Sequence, residues 1–478
     1  MSEVTSSPAG ATAPTLKRDT LKLRHAIVIS VAVMSPASIF FNTIPQAGVV
    51  GAAIPLCFVI AFVITLFVAN QYSEFSREIP SSGSSYTFVT AGLGPHLGYL
   101  TAWCGLIAVA LGIPYTFTLL GANLEALIVR WFGLDLNWSF WYVLTLGIAF
   151  ALCYWGIKQS TNVDLAFMVF EVGVGIILSV IVLFHVGQQG GLTLKPFTLG
   201  VIPAGGSLPV GVILAILTFI GFEAAAALGE ETRNPHRSIP LAVFGSMILV
   251  GLFYVLVAYA GTVGYGIDKM VTGFANDAAP YDTISRQFSG PLLVLLVDIA
   301  GVASYFSASL AIINSGARIT YKVGRDGLLP GWVAWLHPLR LNPIAAIITL
   351  CSIGLISGLI LGFTMTPLVA FGFLGTLDAL FVMIVYALVC IASIVFFLRK
   401  RRAQFNILRH LISPVIGTIM IAVVFVFLLI APAPPPLNTI PFVVLAWIVL
   451  GIVMLYVLRR RLAVVDTVSL ASKEESSS

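Results

Sequence analysis

Charge is the scarcest property of this 478-residue sequence, with only 9% of it Asp, Glu, Lys or Arg. Soluble domains carry about a quarter charged residues. A chain that is 59% apolar, with a mean hydropathy of +1.02, is therefore not a water-soluble enzyme. Histidine is rarer still: His25, His96, His185, His236, His337 and His410 are scattered near the ends of apolar stretches, and no HExxH occurs. That excludes the usual zinc-hydrolase arrangement, and the lack of any GxSxG removes the common activated serine. No lysine follows a glycine, so a GxxxxGK phosphate loop, and with it an ATP-driven pump, is excluded. Cys57, Cys104, Cys153, Cys351 and Cys390 all fall inside apolar stretches, as small hydrophobes do, and make neither a disulfide nor a zinc framework. The net charge of +5 is too dispersed to support nucleic-acid binding. Neither a metal nor a cofactor is expected.

What the chain has instead is long hydrophobic runs. Twelve apolar windows of helix-spanning length lie near 25–48, 51–72, 96–124, 138–156, 161–187, 208–229, 238–266, 291–317, 343–363, 366–398, 411–432 and 438–458. Each is long enough to cross roughly 30 Å of hydrocarbon as a helix, and none shows the alternation of about 10 residues that a membrane β-barrel requires. The expected fold class is all-α and integral to the lipid bilayer. Residues 1–20 are small and polar with no apolar centre, which reads as a disordered tail and not a signal peptide. Residues 462–478 read as a second disordered tail, and APAPPP at 431–436 as a stiff turn between spans 11 and 12. If both tails are cytoplasmic, 21 of the 25 basic residues lie on the inner side, and only Arg130, Lys195, Lys269 and Arg286 lie outside. That bias orients the chain in a cytoplasmic membrane. The runs Arg399–Arg402 and Arg459–Arg461 then serve as anchors near anionic lipid.

Acids inside the spans carry more information than the loops, because an intramembrane charge is expensive and is kept for a reason. Glu171, Glu223, Asp298 and Asp378 fall within spans, whereas no lysine or arginine is central to one. A pathway through this chain favours protons or cationic groups. Two spans also look broken at mid-depth. Span 1 carries SPAS at Ser35–Ser38, where Pro36 removes a donor and clashes with the preceding turn, and span 6 carries TFIGFE at Thr218–Glu223 with Gly221 at similar depth. Paired breaks five spans apart point to a transporter built from two inverted repeats, spans 1–5 and 6–10, with 11 and 12 appended. The core then covers 21–398 and the appendage 399–461. Pro36 as a plain kink is the competing reading.

Three segments carry a resemblance. GFEAAAALGEETRNPHRSIP (Gly221–Pro240), REIPSSGSSYTFVTAGLGPHLGYLTAW (Arg77–Trp103) and ARITYKVGRDGLLP (Ala317–Pro330) resemble, in order and spacing, the amino acid–polyamine–organocation permeases. The resemblance implies secondary active transport of an amino acid, with a polyamine or amine as the alternative substrate, and a site between the unwound parts of spans 1 and 6. On that pattern the N–H groups of Ala37, Ser38 and Ile39 would receive a carboxylate, and the carbonyls of Val33, Met34, Ser35, Phe219 and Ile220 an ammonium. The chain departs from the family where Gly-Ser-Gly becomes Ser35-Pro36-Ala37-Ser38, which withholds one donor. Phe219 and Phe222 would line or gate the site, and a break in span 3 around Gly112–Tyr115 would bring in Tyr115.

Glu171 aligns where some proton-coupled relatives carry a lysine. A carboxyl there would exchange a proton with the substrate cycle, or would serve only as a protonated bridge between spans 1, 5 and 8, or would face lipid. Glu223 is the second titratable candidate, with satisfaction of orphan N–H groups at the break as its structural alternative. Sodium is the second choice of coupling ion, with Ser304, Ser307 and Ser309 of span 8 as oxygen ligands. GTVGYG at Gly261–Gly266 contains a potassium-filter string, but it occurs once and ends a long apolar helix, so a channel is the remote alternative. Oligomeric state is not read from the sequence. The charge bias makes one direct prediction: a single cysteine at position 400, in a background lacking the native five, reacts with an impermeant thiol reagent only after the cells are opened. Labelling in intact cells overturns the orientation.

Overall fold

The computed structural model describes residues 16–430 and 435–474. Among them, eleven helices are long and apolar enough to cross a membrane, and the only β pairing is one isolated bridge between Leu21 and Thr232. This is a multi-pass integral membrane protein.

The first of the eleven, Leu23–Glu78, is 56 residues long. That is about 84 Å of helix if straight, far more than one bilayer. It is divided. A helix α1 (Leu23–Met34) stops at Ser35, which is left-handed at φ 52°; a 3-10 turn over Pro36–Ser38 leads into α2 (Ile39–Val50). Gly51, at φ 57°, then begins a second turn before α3 (Ile54–Glu78). A short α4 (Ser85–Leu93) precedes α5 (Pro95–Phe132), α6 (Trp138–Trp155) and α7 (Ile157–Gln188). The second interruption follows α8 (Leu208–Leu217), after which the chain turns at Thr218–Gly221 and continues as a 3-10 helix over Phe222–Leu228. Then come α9 (Pro235–Tyr265), a short α10 (Pro280–Phe288), α11 (Pro291–Arg325), α12 (Ile344–Met365), α13 (Pro367–Arg399), α14 (Ser413–Ile430) and α15 (Ile440–Glu474).

Several boundaries differ from the sequence reading for identifiable reasons. The expected break in span 3 is absent. Helix α5 runs through Pro114, whose missing N–H takes the usual donor only from Ala110 O, while the Thr116 and Thr118 hydroxyls bond Gly112 O and Pro114 O within the same helix, both at 2.9 Å. GTVGYG lies within the helical end of α9, not in an extended filter. Helix α15 continues to Glu474 through residues 462–474, where a tail was expected; that stretch contains neither Gly nor Pro to stop it. At the other end, Leu16 is buried against Tyr321 and Leu336, while residues 1–15, most of the proline-rich turn (431–434) and 475–478 lie outside the described residues.

Polar groups hold the end of the bundle where α3, α11 and the segment after Leu228 meet. Arg318 and Glu231 form a fully buried pair, and Arg318 also donates to Asn314 O at 2.6 Å. Leu21 N donates to Glu231 O at 3.0 Å and Arg233 N to Leu21 O at 2.9 Å, which ties the chain ahead of α1 to the loop after the second break. Arg325 grips Glu230 with two bonds of 2.8 and 3.0 Å, and Glu230 accepts the Ser82 hydroxyl at 2.8 Å. Burial works against the Glu230 charge, but Arg325 and Ser82 outweigh it and hold the carboxyl below its usual range. A lowered carboxylate contributes its stabilisation above the ordinary pKa and loses it only as pH falls through the lowered one, so this clamp persists at neutral pH. At the opposite end, Arg130 bridges Asp282 at 2.5 Å and Asp298 at 3.1 Å, so Asp298 is a structural acid there.

Candidate functional site

Both interruptions release backbone groups far from water, and the structure accounts for most of them locally. Ser35 N bonds back to Ala32 O at 3.0 Å, and Ser38 N to Ser35 O at 2.8 Å. In the second break Thr218, Phe219 and Ile220 donate to the carbonyls three residues earlier. The two breaks are then sewn to each other. Tyr254 Oη, from α9, donates to Met34 O at 2.6 Å and is 3.2 Å from Thr218 O. Ser30 Oγ, from α1, donates to Phe222 O at 2.7 Å and accepts from Ala225 N at 3.0 Å. That clamp accompanies an unusual backbone, since a 3-10 run of seven residues exceeds the common length and FEAAAAL favours an α-helix by composition. Gly221 is required at the crossing: its φ is 112°, and a Cβ would sit 2.3 Å from Val33 Cγ1.

Glu223 Oε2 accepts from Gly221 N at 3.2 Å and from the Tyr386 hydroxyl of α13. Glu171 Oε2, from α7, accepts from Ala37 N at 3.2 Å, while Ser304 Oγ of α11 is 3.2 Å from the same nitrogen and 2.8 Å from Ser35 Oγ. Glu171 thus meets the break after α1 and the face of α11 at one point, fully buried, and its Oε1 has no partner among the described residues. The N–H groups of Ala37, Ser38 and Ile39 are all engaged within the protein, the last with Ala37 O and Pro36 O.

Two cavities flank the breaks. One, of about 110 Å³, extends toward the Arg325 end and is lined by Val33, Ser84, Tyr115, Ile220, Glu223 and Asp378. The other, of about 240 Å³, extends the opposite way past Met34, Ser35, Ser38 and Asn42. Val33, Tyr115, Ile220 and Asp378 border both, forming a thin partition between them. The structure therefore brings Val33, Met34, Ser35, Ser38, Tyr115, Ile220 and Glu223 to these cavities. Ala37 and Ile39 are in the core. Phe219 and Phe222 line neither, but with Ile220 and Tyr386 they border a small pocket of about 20 Å³ beside the second break; Phe219 stacks on Phe62 at 6.2 Å between centroids, and Phe222 meets Tyr72 and Tyr386 at 5.7 and 5.3 Å. Ser307 donates to Asp164 at 3.1 Å.

A helical bundle with two interruptions facing a divided cavity is an arrangement of transport proteins, and the comparison with known families agrees. Residues 21–455 match the family model described as amino acid permease. The chain belongs to the amino acid permease family. Within the amino acid–polyamine–organocation superfamily, this permease is 25% identical over 348 residues to the low-affinity putrescine importer PlaP of Escherichia coli K12, covering 71% of the chain and 74% of the relative. It is 25% identical over 336 residues to the branched-chain amino acid permease BcaP of Bacillus subtilis, covering 67% and 70%. A cationic amino acid transporter of Arabidopsis thaliana is 28% identical over 322 residues, covering 63% of the chain and 50% of the relative. The permease moves small solutes across a membrane and is not an enzyme.

Sequence reasoning gave no role to four contributors to this region. Tyr254 and Tyr386 pass for packing aromatics until the carbonyl and carboxylate they touch are known. Asp164 lies so near the start of its span that it reads as a loop acid, and Asp378 was visible as an intramembrane acid with no partner to give it a role. The crossing at Gly221 yields a prediction. Gly221→Ala in the permease introduces both a left-handed alanine and an overlap with Val33, and lowers thermal stability in detergent by about 3 kcal/mol, with transport lost. Unchanged melting and uptake would show that the two breaks are not in the described contact.

Proposed function

We propose that this permease is a secondary transporter of twelve spans that carries a small protonated amine across the cytoplasmic membrane by alternating access, coupled to a proton at Glu171. Counting Leu23–Val50 and Ile54–Glu78 as separate spans gives the twelve, with both termini on the cytoplasmic side. The packing supports two inverted repeats of five. Span 2 (α3) lies on span 7 (α9); span 3 (α5) meets span 10 (α13) as span 8 (α11) meets span 5 (α7); and span 1 (α1) meets span 7 as span 6 (α8) meets span 2. The short helices α4 and α10 fall at equivalent places, ahead of spans 3 and 8. Such a pair of repeats supports rocking about a central site.

The observation that carries the substrate class is Asp378. It borders both cavities, and among the described residues its carboxylate takes no hydrogen bond or ion pair. An acid at mid-membrane without a partner calls for a cationic one, and the substrate's ammonium fits. The amino acid reading depended on free N–H groups at Ala37, Ser38 and Ile39 to hold a carboxylate. Those groups have intramolecular partners, which favours an amine. The putrescine importer among the relatives supports the same class. An amino acid is the second reading, favoured by the amino acid relatives and by Asn42 Nδ2, which stands 3.2 Å from Ser38 Oγ beside the larger cavity and would offer donors to a carboxylate.

Purified permease in liposomes distinguishes them. A decarboxylated amine is expected to compete for labelled uptake at least ten times better than its parent amino acid, and Asp378→Asn to raise KM for the amine about tenfold, or about 1.4 kcal/mol. Equal competition by the amino acid, or an unaltered KM, overturns the amine reading.

Coupling is tested separately. Glu171→Gln keeps shape and hydrogen bonds but cannot titrate. It is expected to retain substrate counterflow and to lose accumulation driven by a pH gradient; undiminished pH-driven uptake removes Glu171 from the mechanism, and dependence on sodium instead restores the sodium reading.

A further inference from the structure

Glu171 is not the only unsatisfied acid on α7. Seven residues toward the Arg318 end, Asp164 is fully buried, accepts from Ser307 Oγ through Oδ1, and has no partner at Oδ2 among the described residues. A spacing of seven residues is nearly two full turns, so both carboxyls project from one face of α7, about 10 Å apart along its axis. That face packs on α11, whose Ser304 and Ser307 are one turn apart and stand beside Glu171 and Asp164 respectively. The polar line continues. Ser160 Oγ, a further turn along α7, accepts from Asn314 Nδ2 at 2.9 Å, and Asn314 O accepts from Arg318, the partner of Glu231. Glu231 and the first turn of α7, Gly156 to Gln159, border a third cavity of about 480 Å³. Gln159 is five residues from Asp164, about 7 Å of helix. None of Glu171, Asp164, Ser304 and Ser307 lines either substrate cavity.

We propose that Asp164 is a second proton carrier, and that the α7–α11 seam is a route for the coupled proton that is separate from the path of the substrate. The proposal rests on Glu171 as the coupling acid. In the step itself, the O–H bond on Glu171 breaks and one forms on Asp164. The Ser304 and Ser307 hydroxyls are a helical turn apart and, among the described residues, not bonded to each other, so a water between them completes the relay, and each hydroxyl and the water take one proton and give one. One acid and one carboxylate are present before and after, so the buried charge does not change. The carboxylate left on Glu171 keeps the Ala37 N–H and the Ser304 hydroxyl. Asp164 does not itself border the third cavity, so its proton leaves through water that enters from that cavity past the first turn of α7. Ala37 belongs to the break after α1, so a movement of that break with substrate alters what Glu171 is bonded to, and thereby when the proton leaves.

The groups that face Asp164 are consistent with this passage. From its own helix there is Glu171, from α11 Ser307, and from α6 Cys153, which also feels Arg318. His25 of α1 lies near Lys158 at the start of α7, Tyr254 of α9 faces Glu171, and Asp282 of α10 is occupied by Arg130. Among the described residues no lysine, arginine or histidine pairs with Asp164 to hold it permanently charged.

Asp164→Asn and Glu171→Gln are compared in liposomes by substrate counterflow, which needs no net proton movement, and by substrate-induced acidification of a lumenal pH dye. Asp164→Asn is expected to keep counterflow within about twofold and to lose at least tenfold in proton influx and in pH-driven uptake. If Glu171→Gln loses proton influx and Asp164→Asn keeps it, the proposed route is overturned while Glu171 stands. If both keep it, the coupling reading itself fails, and the route with it. Should Asp164→Asn not reach the membrane, Ser307→Ala carries the test, since it leaves the carboxyl in place and removes the hydroxyl bonded to it. A threefold or greater loss of proton influx with counterflow unchanged supports the route, and unchanged influx overturns it.

Discussion

Everything in this permease follows from one constraint: in hydrocarbon there is no water to satisfy a backbone N–H or C=O, so a helix can be interrupted at mid-membrane only where the protein itself supplies the partners. Two interruptions are present, and their partners come from elsewhere in the bundle. Tyr254 holds carbonyls of both, Ser30 joins α1 to the 3-10 helix, Glu223 and Tyr386 meet Gly221, and Glu171 with Ser304 meets Ala37. Each side chain that closes a break also connects it to another helix. The breaks are therefore joints, and their geometry reports on the arrangement of α7, α9, α11 and α13 around them.

The same constraint divides the intramembrane acids by task. Asp298 is taken by Arg130 and Trp131 at one end of the bundle, and Glu231 by Arg318 at the other. A buried pair of this kind costs several kcal/mol to break, and so favours one arrangement of the segments it joins. Glu223 and Glu171 are partly occupied by backbone donors of the breaks. Among the described residues Asp378 has no partner and borders both cavities, while Asp164 lacks a partner at one oxygen and borders neither. An acid that is fully satisfied is structural; one that is not carries a vacancy that a substrate ammonium or a proton can fill. This is the physical ground for the proposed separation of a substrate path, at the cavities bordered by α5, α11 and α13, from a proton path between α7 and the face of α11 that carries Ser304 and Ser307.

Much of this architecture was legible in the order of residues. Hydropathy and charge bias are one-dimensional properties in a membrane, because the bilayer imposes one axis and one required length on every span. The breaks were legible too, since Pro36 removes a donor and Gly221 admits a left-handed backbone without reference to any neighbour. The motif at Gly221–Pro240 carried the family for the same local reason. What was not legible was partnership. Nothing around Pro114 in the sequence tells that the helix will run on through it, and nothing around Phe219 tells that its ring will turn toward Phe62 and Tyr254.

Sequence by itself thus determined that this chain crosses a membrane many times and that spans 1 and 6 are interrupted, and it identified most of the few acids the hydrocarbon encloses. Only tertiary structure decided which of those acids are spent and which are free, because Asp298 and Asp378 are the same residue in similar apolar surroundings along the chain and differ only in what another helix presents to them. One meets Arg130, more than 160 positions away; the other, part of the partition between two cavities, meets no partner among the described residues. Satisfaction of a buried charge is a property of pairs, and the pairs here are made by helices far apart in sequence.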